Sequence, residues 1–318
     1  MSPIKQFRQH IDQYFIVASL IILILFFGML SENFLSLTTL STILNQLPSL
    51  IVVTIGITLV LIVADIDLSV GSVLGLSAAV VGISVVGLGL PLPIACFLAL
   101  AAGATCGLIN GFLSSYFGLP SFIVTLGMLE MSRGAAYMTT NSQTIFIGPD
   151  IQFIALPISN TGVSPALVIA LMIVFIAHFI LNKTVFGRYI VAVGTNDKAA
   201  RMSGIDTKYY KVVVLTLSGL LAGLGGIFNA AYLGAADPNA GIGLELSAIA
   251  AAVIGGTSLM GGRGSIIGAL AGVLIIAVLQ NGLAQIGVAE PSKRVITGAV
   301  IIVAVLFDQW KTKKGALN

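Results

Sequence analysis

Hydrophobic residues form long runs that are separated by short polar segments along almost all of the 318-residue chain. Several runs, such as residues 14–30 and 166–181, approach or reach the ~20 apolar residues that a helix needs to cross a bilayer. Prolines lie at or near the ends of these runs, where a missing backbone N–H does little harm. The pattern predicts an all-α polytopic membrane protein with about ten spans, at residues 14–30, 48–64, 70–88, 93–116, 121–139, 163–182, 211–233, 246–258, 265–288 and 294–308.

The composition supports a membrane environment, because the chain has too few polar residues to form a shell facing water. Hydrophobic residues make up 57% of the chain and charged residues 8%, and the mean hydropathy is +1.08. A soluble domain needs roughly a quarter of its residues charged. We therefore expect residues 1–318 to form a single transmembrane domain embedded in the lipid bilayer, without a separate soluble domain.

The positions of lysine and arginine predict the orientation, because cytoplasmic loops carry an excess of these residues. With ten spans and a cytoplasmic N-terminus, Arg133 lies within a span and only Lys293 and Arg294 lie outside, so the other twelve of the 15 cations are cytoplasmic. The longest external loop, residues 140–162, has no cation. Both termini are then cytoplasmic. The net charge of +3 reflects this topology and gives no support for nucleic-acid binding.

The largest predicted cytoplasmic loop, at about residues 183–210, contains an unusually polar segment. Within it, Asn196 can cap a helix, and Asp197 lies in the first turn, where the helix dipole favours an acidic side chain. Gly204 lies where a left-handed residue would end that helix. A helix of about two turns is marginal alone in water. The segment is therefore either a hydrated connector or a short helix that docks against another surface.

A glycine-rich stretch at about residues 255–264 ends the short predicted span 246–258 and breaks the helix there. The break either joins two packed helices or exposes backbone groups to a cavity, as broken helices do in transporters. No Lys-Ser or Lys-Thr follows the glycines, so the stretch is not a P-loop. Other glycines recur at four-residue spacing, which predicts close packing of helix backbones: Gly71 and Gly75, and Gly264, Gly268 and Gly272.

Groups that could support catalysis or bind a metal are scarce. His10 and His178 are scattered along the chain, and Cys96 and Cys106 lie ten residues apart on one predicted helix. Neither pair has the spacing of a metal site or of a disulfide. We expect no metal, no cofactor and no catalytic residue in this chain.

Charged side chains are rare within the predicted spans. Glu130 and Arg133 lie three residues apart near the middle of one span, so they can form an ion pair on one helix face. Such a pair can be structural or can line a transport pathway. Asp65 and Asp67 lie near the inner end of another predicted span, where capping and functional roles are both open.

Four stretches, in this order along the chain, resemble the ribose-type permeases, which are the membrane subunits of bacterial ABC sugar importers. They are DIDLSVGSVLGL at residues 65–76, LPSFIVTLGMLEMSRG at 119–134, GRYIVAVGTNDKAARMSGID at 187–206 and ELSAIAAAVIGGTSLMGGRGSIIGALAG at 245–272. The stretch FLSLTTLSTILNQ at residues 34–46 resembles the family's entry into the second span. The chain departs from the family at Ser247, where relatives usually have Asp, and at Asp65, where they usually have Gly.

The resemblance implies a permease subunit in a bacterial inner membrane that moves a monosaccharide by alternating access. It also implies three protein partners: a cytoplasmic ABC ATPase subunit, a second permease subunit that is identical or a paralogue, and a periplasmic or surface-tethered sugar-binding protein. ATP hydrolysis would take place on the separate ATPase, so this subunit itself would not be an enzyme.

Two sets of candidate site residues follow: the resemblance implies the first, and the hydrogen-bonding chemistry of a sugar suggests the second. The first is a coupling helix, with Arg201 as its expected anchor in a groove of the ATPase: Asn196, Asp197, Lys198, Ala199, Ala200, Arg201, Met202, Ser203, Gly204, Ile205 and Asp206. The second set contains polar groups that either hydrogen-bond the sugar along its pathway or only cap and pack helices: Asn45, Gln46, Asp67, Ser69, Thr125, Gln280 and Asn281.

Two other classes of protein are alternatives to an ABC permease subunit. An ion-coupled secondary transporter needs no ATPase but needs a titratable carboxylate at mid-depth, and Glu130 is the candidate. An intramembrane hydrolase or transferase needs clustered His, Asp and Ser side chains or a metal site, which the scattered histidines do not provide.

Overall fold

The computed structural model describes residues 3–158 and 162–316, and it is predominantly helical. The helices are α1 (Pro3–Leu30), α2 (Leu37–Ile62), α3 (Val70–Gly82, continued by a π-helical turn at Ile83–Gly87), α4 (Leu92–Tyr116), α5 (Ser121–Thr140), α6 (Pro149–Gln152), α7 (Pro165–Lys183), α8 (Val185–Thr195), α9 (Asp197–Met202), α10 (Thr207–Leu233), α11 (Leu244–Ile254), α12 (Ile266–Gln285) and α13 (Glu290–Ala316). Two short antiparallel strands, β1 (Ile145–Phe146) and β2 (Ala235–Ala236), pair Ile145 with Ala236.

Every predicted span overlaps one of these helices, so the helical pattern is confirmed. By length and composition, six segments of the described chain can cross a membrane, namely α2, Val70–Gly87, α4, α7, α10 and α12. The other four predicted spans coincide with α1, α5, α11 and α13. The sequence pattern did not predict α8, the short helix α6 or the strand pair.

The core is organised around α2 and α10, which are buried because other helices surround them. Residues 51–63 of α2 and its C-cap are buried on every face. Helix α10 packs closely against α4 through glycines: a Cβ on Gly107 or Gly219 would overlap the backbone of the facing helix. Such contact between small residues lets membrane helices gain dispersion energy without bulky side chains between them.

The segment between α2 and α3, residues 63–69, extends along α10 into the interior. Lys211 of α10 lies 3.4 Å from Asp65, and Ser218 of the same helix donates to Asp67 at 2.9 Å. Seven residues of helix correspond to about 10 Å of rise. Asp67 therefore lies about one-third of a bilayer core deeper than Asp65, and α3 begins well inside the fold.

A second non-helical segment, residues 235–243, consists of β2 and a series of turns, and it runs alongside α3 before α11 begins. Ala236 lies against Gly82, the carbonyl of Ala240 lies against Gly75, and Gly241 lies against Gly71. Residues 71 and 82 are separated by about 16 Å along α3. The close approach predicted for Gly71 and Gly75 is confirmed, although the backbone that they meet belongs to this non-helical segment and not to a helix. A Cβ on Gly71 would also overlap the Glu245 carboxylate of α11, and a Cβ on Gly75 would contact the Arg133 side chain.

The other predicted glycine contacts also have clear partners. A Cβ on Gly268 would overlap the carbonyl of Gly255, and a Cβ on Gly272 would overlap the carbonyl of Ala251. Both contacts join α11 to α12. The short helix α11 ends at Ile254, so the helix break predicted at residues 255–264 is confirmed.

Candidate functional site

The segment predicted to be a coupling helix forms α9, with a cap at each end. Asn196 accepts from the backbone N–H of Ala199 at 3.0 Å, which satisfies one of the free donors at the helix start. Gly204 has a φ of +82°, and the next N–H, of Ile205, donates to the carbonyl of Ala200 at 3.1 Å. This left-handed glycine with its backward hydrogen bond ends the helix. The predicted boundaries of the helix are confirmed.

Not all of the residues predicted to contact the ATPase are exposed on α9. Met202 is 90% exposed, whereas Ala200 is 5% exposed and packs into the core. Ile205 is half-buried and also packs against the core. Arg201 lies 2.9 Å from Asp197 and donates to Thr207 at 2.8 Å, so it already has partners within the chain. The geometry therefore makes Met202 a freer contact for a partner than Arg201.

Helix α9 is joined to the interior through α8 and a close backbone contact. Gly194, at the end of α8, lies against the carbonyl of Ile62 at the end of α2, and a Cβ there would overlap that oxygen. The same carbonyl accepts from the N–H of Gly262 at 2.9 Å. Gly262 belongs to the glycine-rich break and has a φ of +71°. Three elements, namely α2, α8 and residues 255–264, therefore meet at one backbone junction.

The first half of the glycine-rich break is packed against the protein, whereas Met260 and Arg263 are exposed. Thr257 is completely buried, and Ser258 is 8% exposed and closes a turn by donating its N–H to the carbonyl of Arg263 at 3.0 Å. Of the two alternatives for this break, the structure favours the joining of packed helices.

The ion pair between Asp65 and Lys211 lies beside α9, in the segment between α2 and α3. Their side chains are only 10% and 21% exposed. Burial raises the pKa of the Asp65 carboxyl, and the positive charge of Lys211 offsets part of that rise. Sequence reasoning named Asp65 but missed Lys211, because the two residues are 146 positions apart.

Arg133 binds backbone carbonyls and not the predicted partner Glu130. Its Nη1 donates to the carbonyls of Pro238 at 2.6 Å and Ala240 at 2.9 Å. The ion pairs of the described residues do not include Glu130, which is exposed on α5. The predicted ion pair was therefore wrong, because the turns of segment 235–243 offer carbonyl acceptors that a helix-only prediction did not contain.

The predicted pathway residues fall into three separate groups. Asp67, Ser69 and Thr125 are each at most 1% exposed, and they anchor residues 63–69. Asp67 accepts from the Ser69 hydroxyl at 2.6 Å, and the Thr125 hydroxyl accepts from the N–H of Leu68 at 3.2 Å and donates to the carbonyl of Ile66. These hydrogen bonds, with that from Ser218 to Asp67, hold residues 63–69 against α5 and α10.

The other four candidates lie toward the opposite end of the molecule from α9. Asn45 donates to the carbonyl of Gly162 and accepts from the N–H of Ser164, so it ties α2 to α7. Gln46 is exposed and donates to the Tyr232 hydroxyl at 2.8 Å. Gln280 and Asn281 lie on α12, and both are half-buried. Within the described residues, no hydrogen bond joins these three groups.

A cavity of about 210 Å³ lies next to Asn45, and its lining mixes hydroxyl, amide and apolar groups. Tyr232 and Gln152 form part of its wall. Sequence reasoning missed both residues, since a tyrosine near a helix end and a glutamine in a loop give no signal of their own. No three His, Cys, Asp or Glu side chains of the described residues are placed to hold a metal ion.

Comparison with known proteins identifies the family. The family described as "Branched-chain amino acid transport system / permease component" matches residues 39–305, and the chain therefore belongs to this permease family. The resemblance predicted from the four sequence stretches is confirmed. With its several apolar helices, the chain is a multi-pass membrane permease.

Individual relatives cover nearly the whole chain. The ribose import permease protein RbsC of Escherichia coli K12 is 41% identical over 298 residues, which is 92% of each protein. The fructose import permease protein FrcC of Rhizobium meliloti is 35% identical, over 92% of this chain and 84% of its own. The D-allose transport system permease protein AlsC of Escherichia coli K12 is 36% identical, over 95% and 93%. No solved structure matches the chain significantly.

Proposed function

We propose that the chain is the membrane-spanning subunit of an ATP-driven importer for a monosaccharide in a bacterial inner membrane. The observation that carries this proposal is the similarity along nearly the whole chain to permeases whose names specify ribose, fructose and D-allose. These three sugars share a small size and a high density of hydroxyl groups. The similarity supports a class of substrate and does not select one sugar.

The proposed energy source is an ABC ATPase that docks on α9. A short helix with an exposed apolar side chain, Met202, suits recognition by insertion into a groove. The junction of Gly194, Ile62 and Gly262 connects α9 to α2 and to the break after α11. A displacement of α9 would therefore move two membrane elements together.

The proposed topology has ten crossings, with both termini in the cytoplasm. The cation distribution supports it, and α11 fits as part of a composite crossing. The 11 residues of α11 rise about 16 Å, and the non-helical segment 235–243 covers about the same depth along α3. Together they match the ~30 Å hydrocarbon core.

Cysteine labelling tests this topology in a chain from which Cys96 and Cys106 have been removed. A cysteine at Gln143 should react with an impermeant thiol reagent added outside intact cells, and a cysteine at Met202 should react only after permeabilisation. Gln143 is exposed and lies in the predicted external loop, residues 140–162. The sequence alone would also suggest Thr161 of that loop as the external position, but Thr161 lies outside the described residues. Labelling of Met202→Cys from outside would overturn the ten-span orientation.

The proposed pathway lies between two permease subunits. Glu130 is exposed on α5, and Gly127 and Gly134 on the same helix have open space beside them. An exposed carboxylate is costly against lipid, so this face of α5 would meet the second subunit or the aqueous pathway. We keep Asn45, Gln46, Gln280 and Asn281 as proposed sugar contacts. A binding protein would deliver the sugar to them at the outer end of the subunit.

The central test uses the complete transporter in vesicles. ATP hydrolysis should rise when the binding protein carries one of a set of pentoses and hexoses, and accumulation of that sugar should require ATP. The alternative is uptake by this chain without any ATPase. If dissipating the proton gradient abolished that uptake, the chain would be a secondary transporter.

The coupling contact is tested by Met202→Asp. If Met202 fills an apolar pocket of the ATPase, the charge should weaken co-purification of the ATPase by about 30-fold, the loss typical of an interface hot spot of ~2 kcal/mol. Met260→Asp is the matched control, because Met260 is 82% exposed and lies in the break outside α9. Equal ATPase recovery with Met202→Asp and wild type would remove Met202 from the interface.

A further inference from the structure

A second cavity, of about 290 Å³, lies where the ends of α4, α5 and α10 meet beside α9. Three cations, Arg201, Lys208 and Lys211, and one carboxylate, Asp65, line it. The formal charge of these four groups is +2. No step of the proposed transport uses this cavity, and it lies at the opposite end of the fold from the cavity beside Asn45.

The polar groups of this cavity include donors and an acceptor that are not satisfied by the protein. The Ser115 hydroxyl is buried and has no hydrogen-bond partner in the described residues, and neither has Oδ2 of Asp65. The ammonium of Lys208 has no carboxylate partner there and lies 5.2 Å from the centre of the Tyr116 ring. Buried polar atoms without partners are costly, so they favour a bound group that supplies the missing bonds.

Exposed apolar side chains lie next to this cavity. Leu119 lines it and is 48% exposed. Phe117 and Phe122 are neighbours in sequence of the lining residues Gly118 and Ser121, and they are 66% and 46% exposed. Basic and aromatic side chains mixed at a helix end are typical of the level of lipid headgroups. A ligand that is anionic at one end and apolar at the other fits this combination better than a free anion does.

We propose that this cavity binds the phosphodiester headgroup of an anionic phospholipid. The cations and the Ser115 hydroxyl would contact the phosphate oxygens, and a headgroup hydroxyl would donate to Oδ2 of Asp65. The acyl chains would lie along Phe117 and Phe122. Basic pockets between membrane helices on the cytoplasmic side bind such headgroups. Because Arg201 belongs to α9, the bound lipid would also brace the helix that the ATPase contacts.

The proposal is tested with the full chain, in a Phe117→Trp variant that also carries Trp310→Phe, so that one tryptophan reports on this cavity. The protein is placed in phosphatidylcholine vesicles with a minor fraction of brominated phosphatidylglycerol or of brominated phosphatidylcholine. We expect stronger quenching by the brominated phosphatidylglycerol. Adding Lys208→Gln should lower the preference about fivefold, the effect of one cation near a headgroup, and Lys208→Arg should keep it.

The control is Lys183→Gln, which removes an exposed lysine from the end of α7, outside this cavity. It should leave the preference unchanged. Loss of the preference on adding inorganic phosphate, but not chloride at equal ionic strength, would uphold a phosphate site and make soluble phosphate its source. Equal quenching by both lipids, or an unchanged preference in correctly folded Lys208→Gln, would overturn the proposal. Neither result depends on sugar transport.

Discussion

The chain leaves the helical conformation on both sides of α11, and the two non-helical segments are stabilised in different ways. Residues 235–243, before α11, are held by the Arg133 side chain and by the pairing of β1 with β2. Residues 255–264, after α11, are held by backbone contacts, in which Gly262 and Gly194 meet the end of α2. The first segment combines side-chain hydrogen bonds with glycine contacts to α3, whereas the contact of the second segment with α2 and α8 is between backbones.

This difference determines how each segment responds to substitution. A glycine contact between backbones has no room for one methyl group, so any side chain forces two elements apart. A segment held by side-chain hydrogen bonds loses one bond at a time. We therefore expect the junction at Gly194 to behave as a rigid joint between α9 and α2, and residues 235–243 to respond in graded steps.

The largest effect is expected at the junction. Gly194→Val would place its side chain on the carbonyl of Ile62, so α8 and α2 would have to separate. Overpacking of this kind costs about 3 kcal/mol or more. Detergent-solubilised protein should be poorly recovered, and its unfolding in SDS should begin at a lower detergent fraction.

The matched control is Gly298→Val, because Gly298 is also helical and a Cβ there would meet no atom within 4 Å. It should fold nearly as well as wild type. Equal stability of the two variants would show that the backbone junction does not hold α8 to α2.

An intermediate effect is expected at Arg133. Arg133→Met keeps most of the apolar stem but removes two charge-assisted hydrogen bonds, which leaves the carbonyls of Pro238 and Ala240 without their donor. A loss of about 2–3 kcal/mol is expected. Amide hydrogen exchange should rise over residues 235–243 before it rises elsewhere, since the segment would detach first.

Substitution of Glu130 tests whether this residue is the partner of Arg133. If the two charges were paired, Glu130→Gln combined with Arg133→Met would recover stability lost in the single variants. Because Arg133 contacts carbonyls, we expect no recovery, and Glu130→Gln alone should have a small effect on unfolding. Full recovery of stability in the double variant would show that Glu130 and Arg133 do form an ion pair.

Much of the helical architecture could be predicted from the sequence, because spans are encoded locally in apolar length. The caps of α9 at Asn196 and Gly204 are equally local and were predicted. The amphipathic α8 was missed because the polar loop around it concealed a helix of 11 residues. The non-helical segment 235–243 was missed as well, although Asp237, Pro238 and several glycines there give the composition of a turn.

The candidate site was less predictable, because its contacts join residues that are distant in the chain. Asp67 meets Ser218 across 151 positions, and Arg133 meets Pro238 across 105. A single sequence shows that such polar residues are unusual in a membrane span. It does not show which of them satisfy the backbone and which face a substrate.

The smallest effect is expected at Tyr137. It tests whether residues 235–243 lose stability in small steps, one hydrogen bond at a time. The Tyr137 hydroxyl donates to the Asn239 side chain at 2.9 Å, in an exposed position where water can replace the bond. Tyr137→Phe should therefore cost only about 0.5 kcal/mol. Tyr209→Phe is the control, because the Tyr209 hydroxyl makes no hydrogen bond within the described residues.

Exchange at the amides near Asn239 measures this effect more directly than global unfolding does. Tyr137→Phe should raise that exchange about twofold, as expected for a local opening that is ~0.5 kcal/mol easier, and it should leave the amides near Gly262 unchanged. Combined with Arg133→Met, it should add little, since the segment would already be detached. Faster amide exchange near both Asn239 and Gly262 would mean that the two segments beside α11 open together. The proposed difference, a rigid junction at Gly262 and stepwise loss of contacts in residues 235–243, would then be wrong.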